Sequence, residues 1–294
     1  MSEQLSLTNE NTCQPEDLVK GMVKLVSLPH VCIRVNMMVD DPDFSITDIG
    51  AVISQDASLT ARLLKIANSA FYGFPNKIET VSRAVTVLGT RELRDLIVGV
   101  SAVRTFAHIP VDLANMASFW RHSIYCGIVC RLLAARCSIL HTERLFIAGL
   151  LHDLGQLIVF HKLPDFSRRA LRRCELTGQP FYEVEREKLG FDHGDVGAEL
   201  MKYWQLPQSL QESIKYHHNP NAAEQNPLEA AIVHLADIIT HIAELELNRE
   251  ERIQRIDPFA WQITKLSEDV IDQVISESNP LLIDGLAMIM PGEV

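Results

Sequence analysis

Apolar residues recur three and four apart along almost the whole chain, and no run alternates apolar with polar residues for long enough to make a strand. The pattern predicts an all-α fold. A first helix is expected over residues 15–27, stopped at Leu28-Pro29 because proline disfavours a helical residue before it. A short second helix reaches Val39 and is broken by Asp40-Asp41-Pro42-Asp43. Ser45 or Thr47 can cap a helix through Ile53, and Ser58 stands at the start of one carrying Leu59, Leu63, Leu64 and Ala67. Gly73 and Pro75 make residues 71–77 a loop. Helices follow over 81–88 and 92–107, separated at Gly89-Thr90 with Thr90 as the cap. Beyond His108-Ile109-Pro110-Val111 the spacing predicts a long helix over about 113–137, another over 142–161, others after Asp165, Pro180, Asp192 and Pro207, and one over 228–245.

A chain of 294 residues at 47% hydrophobic content exceeds the usual size of one domain, so two helical bundles are expected. The divisions are a flexible arm over 1–14, a first bundle over 15–108, a second over 109–245, and a helical tail over 246–294. The tail holds Trp261 and an amphipathic run over 270–289, and the pattern assigns it to neither bundle. A net charge of −11 argues against general nucleic-acid binding and against an anionic membrane surface. The polar N-terminus lacks the apolar stretch of a signal peptide, and no apolar run is long enough to span a bilayer. The six cysteines form no Cys-x-x-Cys pair; they are expected to be packed free thiols in a reducing cytoplasm.

The chemistry is concentrated in an ordered set of histidines and aspartates: His122, His152-Asp153, His193, His217-His218 and Asp237. These side chains hold borderline and hard metal ions through nitrogen and oxygen, and antiparallel helices of one bundle can bring them to a shared point. Leu150, Leu151, Leu154 and Leu157 surround His152 and Asp153, so the carboxylate of Asp153 is expected in an apolar setting. An unpaired charge there costs several kcal/mol, and a cation or a hydrogen-bond network must compensate it. The other reading is a hydrogen-bonded polar core, with His217 and His218 as helix-end residues before Asn219-Pro220. His234 and His241, near Asp237 on the same helix, are expected to pack around the site. His108, His141 and His161 fall in loops or at helix ends.

Gly149-Leu150-Leu151-His152-Asp153-Leu154-Gly155 resembles the signature of the HD superfamily of metal-dependent phosphohydrolases. Two further stretches narrow the resemblance to its HDOD family of bacterial signalling and regulatory proteins. One is Ser54-Gln55-Asp56-Ala57-Ser58-Leu59 continuing through Asn68-Ser69-Ala70-Phe71-Tyr72-Gly73. The other is Gly190-Phe191-Asp192-His193-Gly194, followed by Trp204-Gln205-Leu206-Pro207 and His217-His218-Asn219-Pro220. The resemblance covers residues 18–241, approximately.

The resemblance implies an HD-like second bundle in a signal-transduction or regulatory protein, with a signalling protein or a small phosphorylated molecule as partner. His122, His152, Asp153, His193, His217, His218 and Asp237 match, in order, the metal ligands of the related HD-GYP phosphodiesterases. It implies one divalent transition metal or two, iron or manganese in preference, with zinc and nickel as the other candidates. In the two-metal form Asp153 bridges, with His122, His152 and Asp237 on one ion and His193, His217 and His218 on the other. A phosphohydrolase or phosphodiesterase acting on a nucleotide or other small phosphorylated substrate is the alternative function, with Asp153 as its catalytic residue and a metal-activated water attacking phosphorus. Two departures weigh against turnover: Gln156 stands where catalytic relatives carry lysine, and no Gly-Tyr-Pro tripeptide occurs. Ser118, one turn before His122, supplies no extra carboxylate. Separately, Arg168-Arg169-Ala170-Leu171-Arg172-Arg173 makes a basic helical stripe, expected to be a solvated face.

Overall fold

The computed structural model describes residues 13–69, 72–107, 109, 112–245 and 249–289. Most of the expected arm, together with Phe71, His108 and residues 246–248, lies outside them. The fold is all-α, with no strand among the described residues. In chain order the helices are α1 (Pro15–Lys20), α2 (Val23–Val26), α3 (His30–Val39), α4 (Ile46–Ile53), α5 (Ala57–Ala67), α6 (Val81–Leu88) and α7 (Thr90–Phe106). They continue as α8 (Met116–Arg136), α9 (Thr142–Leu151), α10 (Leu154–Lys162), α11 (Pro164–Thr177), α12 (Phe181–Leu189), α13 (His193–Tyr203) and α14 (Gln208–Lys215). A 3₁₀ turn over Pro220–Ala222 precedes α15 (Pro227–Leu245), α16 (Arg249–Ile253), α17 (Pro258–Thr264) and α18 (Val270–Ile289).

Local chemistry explains most boundaries. Ser45 caps α4 in a reciprocal box: its hydroxyl accepts from the Asp48 N–H at 3.2 Å, and the Asp48 carboxylate accepts from the Ser45 N–H at 2.8 Å. The cap of α5 is Asp56, whose Oδ1 accepts from the Leu59 N–H at 2.9 Å, so Ser58 lies inside the helix instead of starting it. Thr90 is likewise the first helical residue of α7, because Gly89, at φ +95°, occupies the cap position. Asn115 caps α8 through the Ser118 N–H, so the helix begins at Met116, three residues later than the expected start near Leu113. The expected helix over 15–27 is divided at Gly21-Met22, where glycine weakens a helix by about 1 kcal/mol relative to alanine.

The largest departure is in the expected helix over 142–161. It is two helices, α9 and α10, and the interruption is His152-Asp153 itself. The apolar period runs through both halves, so spacing alone conceals the break.

α8 is the central strut, packed against α9, α15 and α18. Gly149 allows the α8–α9 approach: a Cβ there would lie 2.8 Å from the backbone of Gly127 on α8. α10 and α14 flank α13, and α1 closes over α13 and α10. α7 joins the N-terminal helices to α9, and one apolar core continues from Leu18 to Ile289 through Leu96, Ile97, Phe146 and Leu150. The C-terminal helices dock on this body, α17 on α15 and α18 on α8, α15 and α5. The tail thus packs against an N-terminal helix, α5, as well as α8 and α15.

Candidate metal centre

Five separate elements bring the seven candidate residues together. His122 comes from the middle of α8, His152 and Asp153 from the α9–α10 break, and His193 from the first position of α13. His217 and His218 come from the turn after α14, and Asp237 from α15. The break has a packing cause. A Cβ on Gly155, the second residue of α10, would lie 1.9 Å from the His193 carbonyl oxygen and 2.6 Å from the Gly197 nitrogen. Only a residue without a side chain lets α10 start against α13, and this contact turns Asp153 toward His193. Asp192 then sets the start of α13: its Oδ1 accepts from the N–H groups of Gly194 at 2.8 Å and Asp195 at 3.2 Å.

Four of the histidines share one arrangement. The Nδ1–H of His152 donates to the Gly149 carbonyl at 2.7 Å, that of His217 to the Ile214 carbonyl at 2.6 Å, that of His193 to Glu185 Oε2 at 2.5 Å, and that of His122 to Glu244 Oε2 at 2.9 Å. With Nδ1 tied outward, each ring presents Nε2 inward, the orientation that metal-binding histidines take from their supporting acceptors. The inward nitrogens meet the two aspartates. Asp153 Oδ1 lies 3.2 Å from His193 Nε2 and 3.8 Å from His217 Nε2, while its Oδ2 lies 3.3 Å from His152 Nε2. Asp237 Oδ1 lies 3.3, 3.7 and 3.4 Å from Nε2 of His122, His152 and His241. His218 Nε2 approaches His193 Nε2 at 2.8 Å, two ring nitrogens that need a proton or a cation between them.

Mutual electrostatics are correspondingly strong. Burial disfavours charge on His122, but Asp237 and Glu244 outweigh it and push the ring up to about 10. Burial would raise Asp153 and Asp237, yet the surrounding histidines hold both well below the usual carboxylate range. Burial, reinforced by repulsion from His152 and His193, pulls His217 down to about 4, so that ring is neutral at pH 7.

The donor set fits a cation. His122 Nε2, His152 Nε2, His217 Nε2 and Asp237 Oδ1 are buried and without a hydrogen-bond partner, although they face one another. Unsatisfied buried polar atoms are rare and costly. Ligand atoms within 4.8 Å of one another group His193 with His217 and His218, and His122 with His152 and Asp153. A further group joins His122 to His241 and Glu244. A cavity of about 260 Å³ opens over the cluster, reached by Asp153, His193, His218, Asp237 and His241 and also lined by Gln156.

The HDOD domain pattern matches residues 25–220. The chain belongs to the HDOD family. An uncharacterized protein of Treponema pallidum is 28% identical over 200 residues, which are 67% of this chain and 38% of that protein. This HDOD chain therefore spans well under half the length of that relative. Among solved structures, a Shewanella amazonensis protein described as a candidate phosphohydrolase superposes with a TM-score of 0.71 at 24% identity, covering 92% of this chain and 96% of that one. A Marinobacter aquaeolei protein described as a candidate signal-transduction protein gives 0.70 at 22% identity, covering 92% and 60%. At these identities the likeness is one of fold.

Three residues of the surroundings, Glu244, Glu185 and Tyr182, have no counterpart in the sequence reading, while His241, expected to pack around the site, lies against Asp237. His241 and Glu244 follow Asp237 at four and seven residues along α15, a helical spacing visible in the sequence. Glu185 carries no comparable local signal; it is a fully buried carboxylate whose role appears only when α12 packs beside His193. Tyr182 stacks on His218 with ring centroids 4.0 Å apart. His234, expected to pack around the site, donates from Nδ1 to the His217 carbonyl at 2.7 Å and accepts the Asp257 N–H at Nε2, 2.9 Å. It uses both nitrogens to hold the His217-His218 turn. His141 pairs with Glu92 at the head of α9. The arginine stripe lies on an exposed face, with Arg168 on Asp165 and Arg173 on Glu187. All six cysteines are free. No described helix is long and apolar enough to cross a membrane.

Proposed function

We propose that this HDOD chain is a cytoplasmic signal-transduction module whose HD-type centre holds divalent metal and binds a small phosphorylated molecule without turning it over. The observation that carries this reading is the convergence, beneath an open cavity, of buried ligand atoms from His122, His152, His217 and Asp237 that lie within ion-pair distance of a neighbour yet complete no hydrogen bond. His122, His152, Asp153 and Asp237 would hold one ion and His193, His217 and His218 a second, with the Asp153 carboxylate within 3.8 Å of histidines in both sets. Nitrogen and carboxylate donors without thiolate favour iron or manganese over zinc. When bound, the metal supplies positive charge for a phosphate oxygen and the means to activate water.

Hydrolysis of a phosphoester is the second reading, supported by the same accessible Asp153. Gln156 favours binding over turnover: it lines the cavity with a neutral amide where catalytic relatives of the family carry lysine. The discriminating experiment incubates protein loaded with iron, manganese or zinc with a panel of phosphomonoesters and phosphodiesters. Retention of ligand without product supports the signalling module. Metal-dependent product formation, abolished in Asp153→Ala, replaces it with the enzyme.

A further inference from the structure

One wall of the cavity lies beyond the part of the chain that matches the HDOD pattern. Arg252 of α16 and Arg255 just after it line the opening with Tyr182, His218, Asp237 and His241, all but Tyr182 and His218 C-terminal to residue 220. Arg255 Nη2 donates to the Gly178 carbonyl at 2.9 Å, which pins its guanidinium across to the α11–α12 turn. Arg252 is half-buried and makes no ion pair among the described residues. Asp237 acts on Arg252 as a counter-charge, but it is shared with His122 at 3.3 Å and His241 at 3.4 Å. Burial and the repulsion of Arg255 both act against its charge. A half-buried Arg252 and an exposed Arg255 that repel one another at the mouth of one cavity, on a chain of net charge −11, are an arrangement that an incoming oxyanion relieves.

We propose that Arg252 and Arg255 clamp the phosphate of a small phosphomonoester, or inorganic phosphate itself, over the metal-ligand cluster. The proposal rests on the reading of that cluster as a metal centre, which supplies the opposite side of the grip. Size narrows the ligand. At about 260 Å³ the cavity lies below the roughly 300–1,000 Å³ of pockets that enclose drug-sized ligands, and so suits a phosphate with a compact substituent, not a two-base nucleotide. Tyr182 offers little for a nucleobase, since its ring already stacks on His218 and lies 5.3 Å from the Arg186 guanidinium.

The test titrates the full chain with inorganic phosphate, glycerol 3-phosphate and a cyclic dinucleotide by calorimetry, with metal content measured separately on every sample. The clamp predicts that Arg252→Gln weakens phosphate or glycerol phosphate at least tenfold, Arg252→Gln/Arg255→Gln further, and Arg252→Lys less, with metal content and melting temperature unchanged. Stronger binding of inorganic phosphate than of glycerol phosphate identifies the free ion as the ligand; the reverse identifies the ester. Equal affinity in wild type and the double variant, at full metal occupancy, overturns the clamp and leaves the metal centre standing, and preferential binding of the cyclic dinucleotide overturns the size argument. Protein that takes up no metal yet loses phosphate binding in the variants overturns the metal centre and keeps the clamp. Neither metal nor phosphate binding overturns both.

Discussion

Two of the places where the molecule buries charge are solved differently. Near the start of α7, Arg94 is 5% exposed and its guanidinium is spent on Asp95 at 2.9 Å and Asp40 at 3.3 Å. None of these three side chains is left with a buried atom lacking a partner. In the centre formed by α8, the α9–α10 break, α13, the turn after α14 and α15, burial leaves three Nε2 atoms and a carboxylate oxygen with ion-pair contacts but no hydrogen bond. The first group is complete as protein. On the proposed reading the second is completed by a metal, and its Nδ1 atoms are tied outward in the way that leaves Nε2 to a ligand.

The comparison can be broken from either side. Arg94→Met strands Asp95 in the core and is expected to cost ~3–5 kcal/mol in denaturant unfolding, with metal uptake unaltered. Unfolding within 1 kcal/mol of wild type would mean that the network is as dispensable as a surface pair. Stripping metal from the wild type should lower stability by about 4 kcal/mol relative to protein at a thousandfold excess of free metal over its dissociation constant. The same chelator treatment should leave the unfolding curve of Asp153→Ala unmoved. A smaller effect is expected of Glu185→Gln, which keeps His193 but weakens the acceptor behind it: metal affinity should fall ~10–100-fold, read by competition with a chromophoric chelator. Smallest per unit is the pH response. His122 sits at about 10 in the metal-free protein, so at pH 7 metal must displace its proton, whereas His217, at about 4, is already neutral. Metal binding should therefore release protons, and affinity should fall as pH is lowered, by at most about tenfold per pH unit for each proton released. Calorimetry in buffers of different ionisation enthalpy measures the release; heats independent of buffer would contradict it.

Much of this was legible before any coordinates. Helical periodicity predicts the all-α class, and the order of His122, His152-Asp153, His193, His217-His218 and Asp237 marks the residues that the fold gathers. The α9–α10 break was not legible, because the leucines on both sides of Asp153 keep helical phase and the cause of the break is a distant contact, Gly155 against the backbone of His193 and Gly197. Ser58 and Asp56 are both competent caps for α5, and the structure uses Asp56, two residues upstream of the expected start. Glu185 was hidden because a carboxylate in an amphipathic helix looks solvated until its helix is docked. His241 was legible as a residue packing around the site, and Glu244 is legible by the same spacing, since the two follow Asp237 at four and seven residues on one helix face. Arg252 and Arg255 were not, because the polar segment that carries them meets the site only through the fold of the tail.

The most direct test of the metal centre is elemental analysis of untagged protein purified without added metal or chelator, beside Asp153→Ala prepared in the same way. One or two equivalents of a transition metal in the wild type, absent from the variant, is the predicted result. No metal in the wild type, persisting after anaerobic reconstitution with iron, manganese and zinc, would contradict the account and make the cluster a hydrogen-bonded polar core.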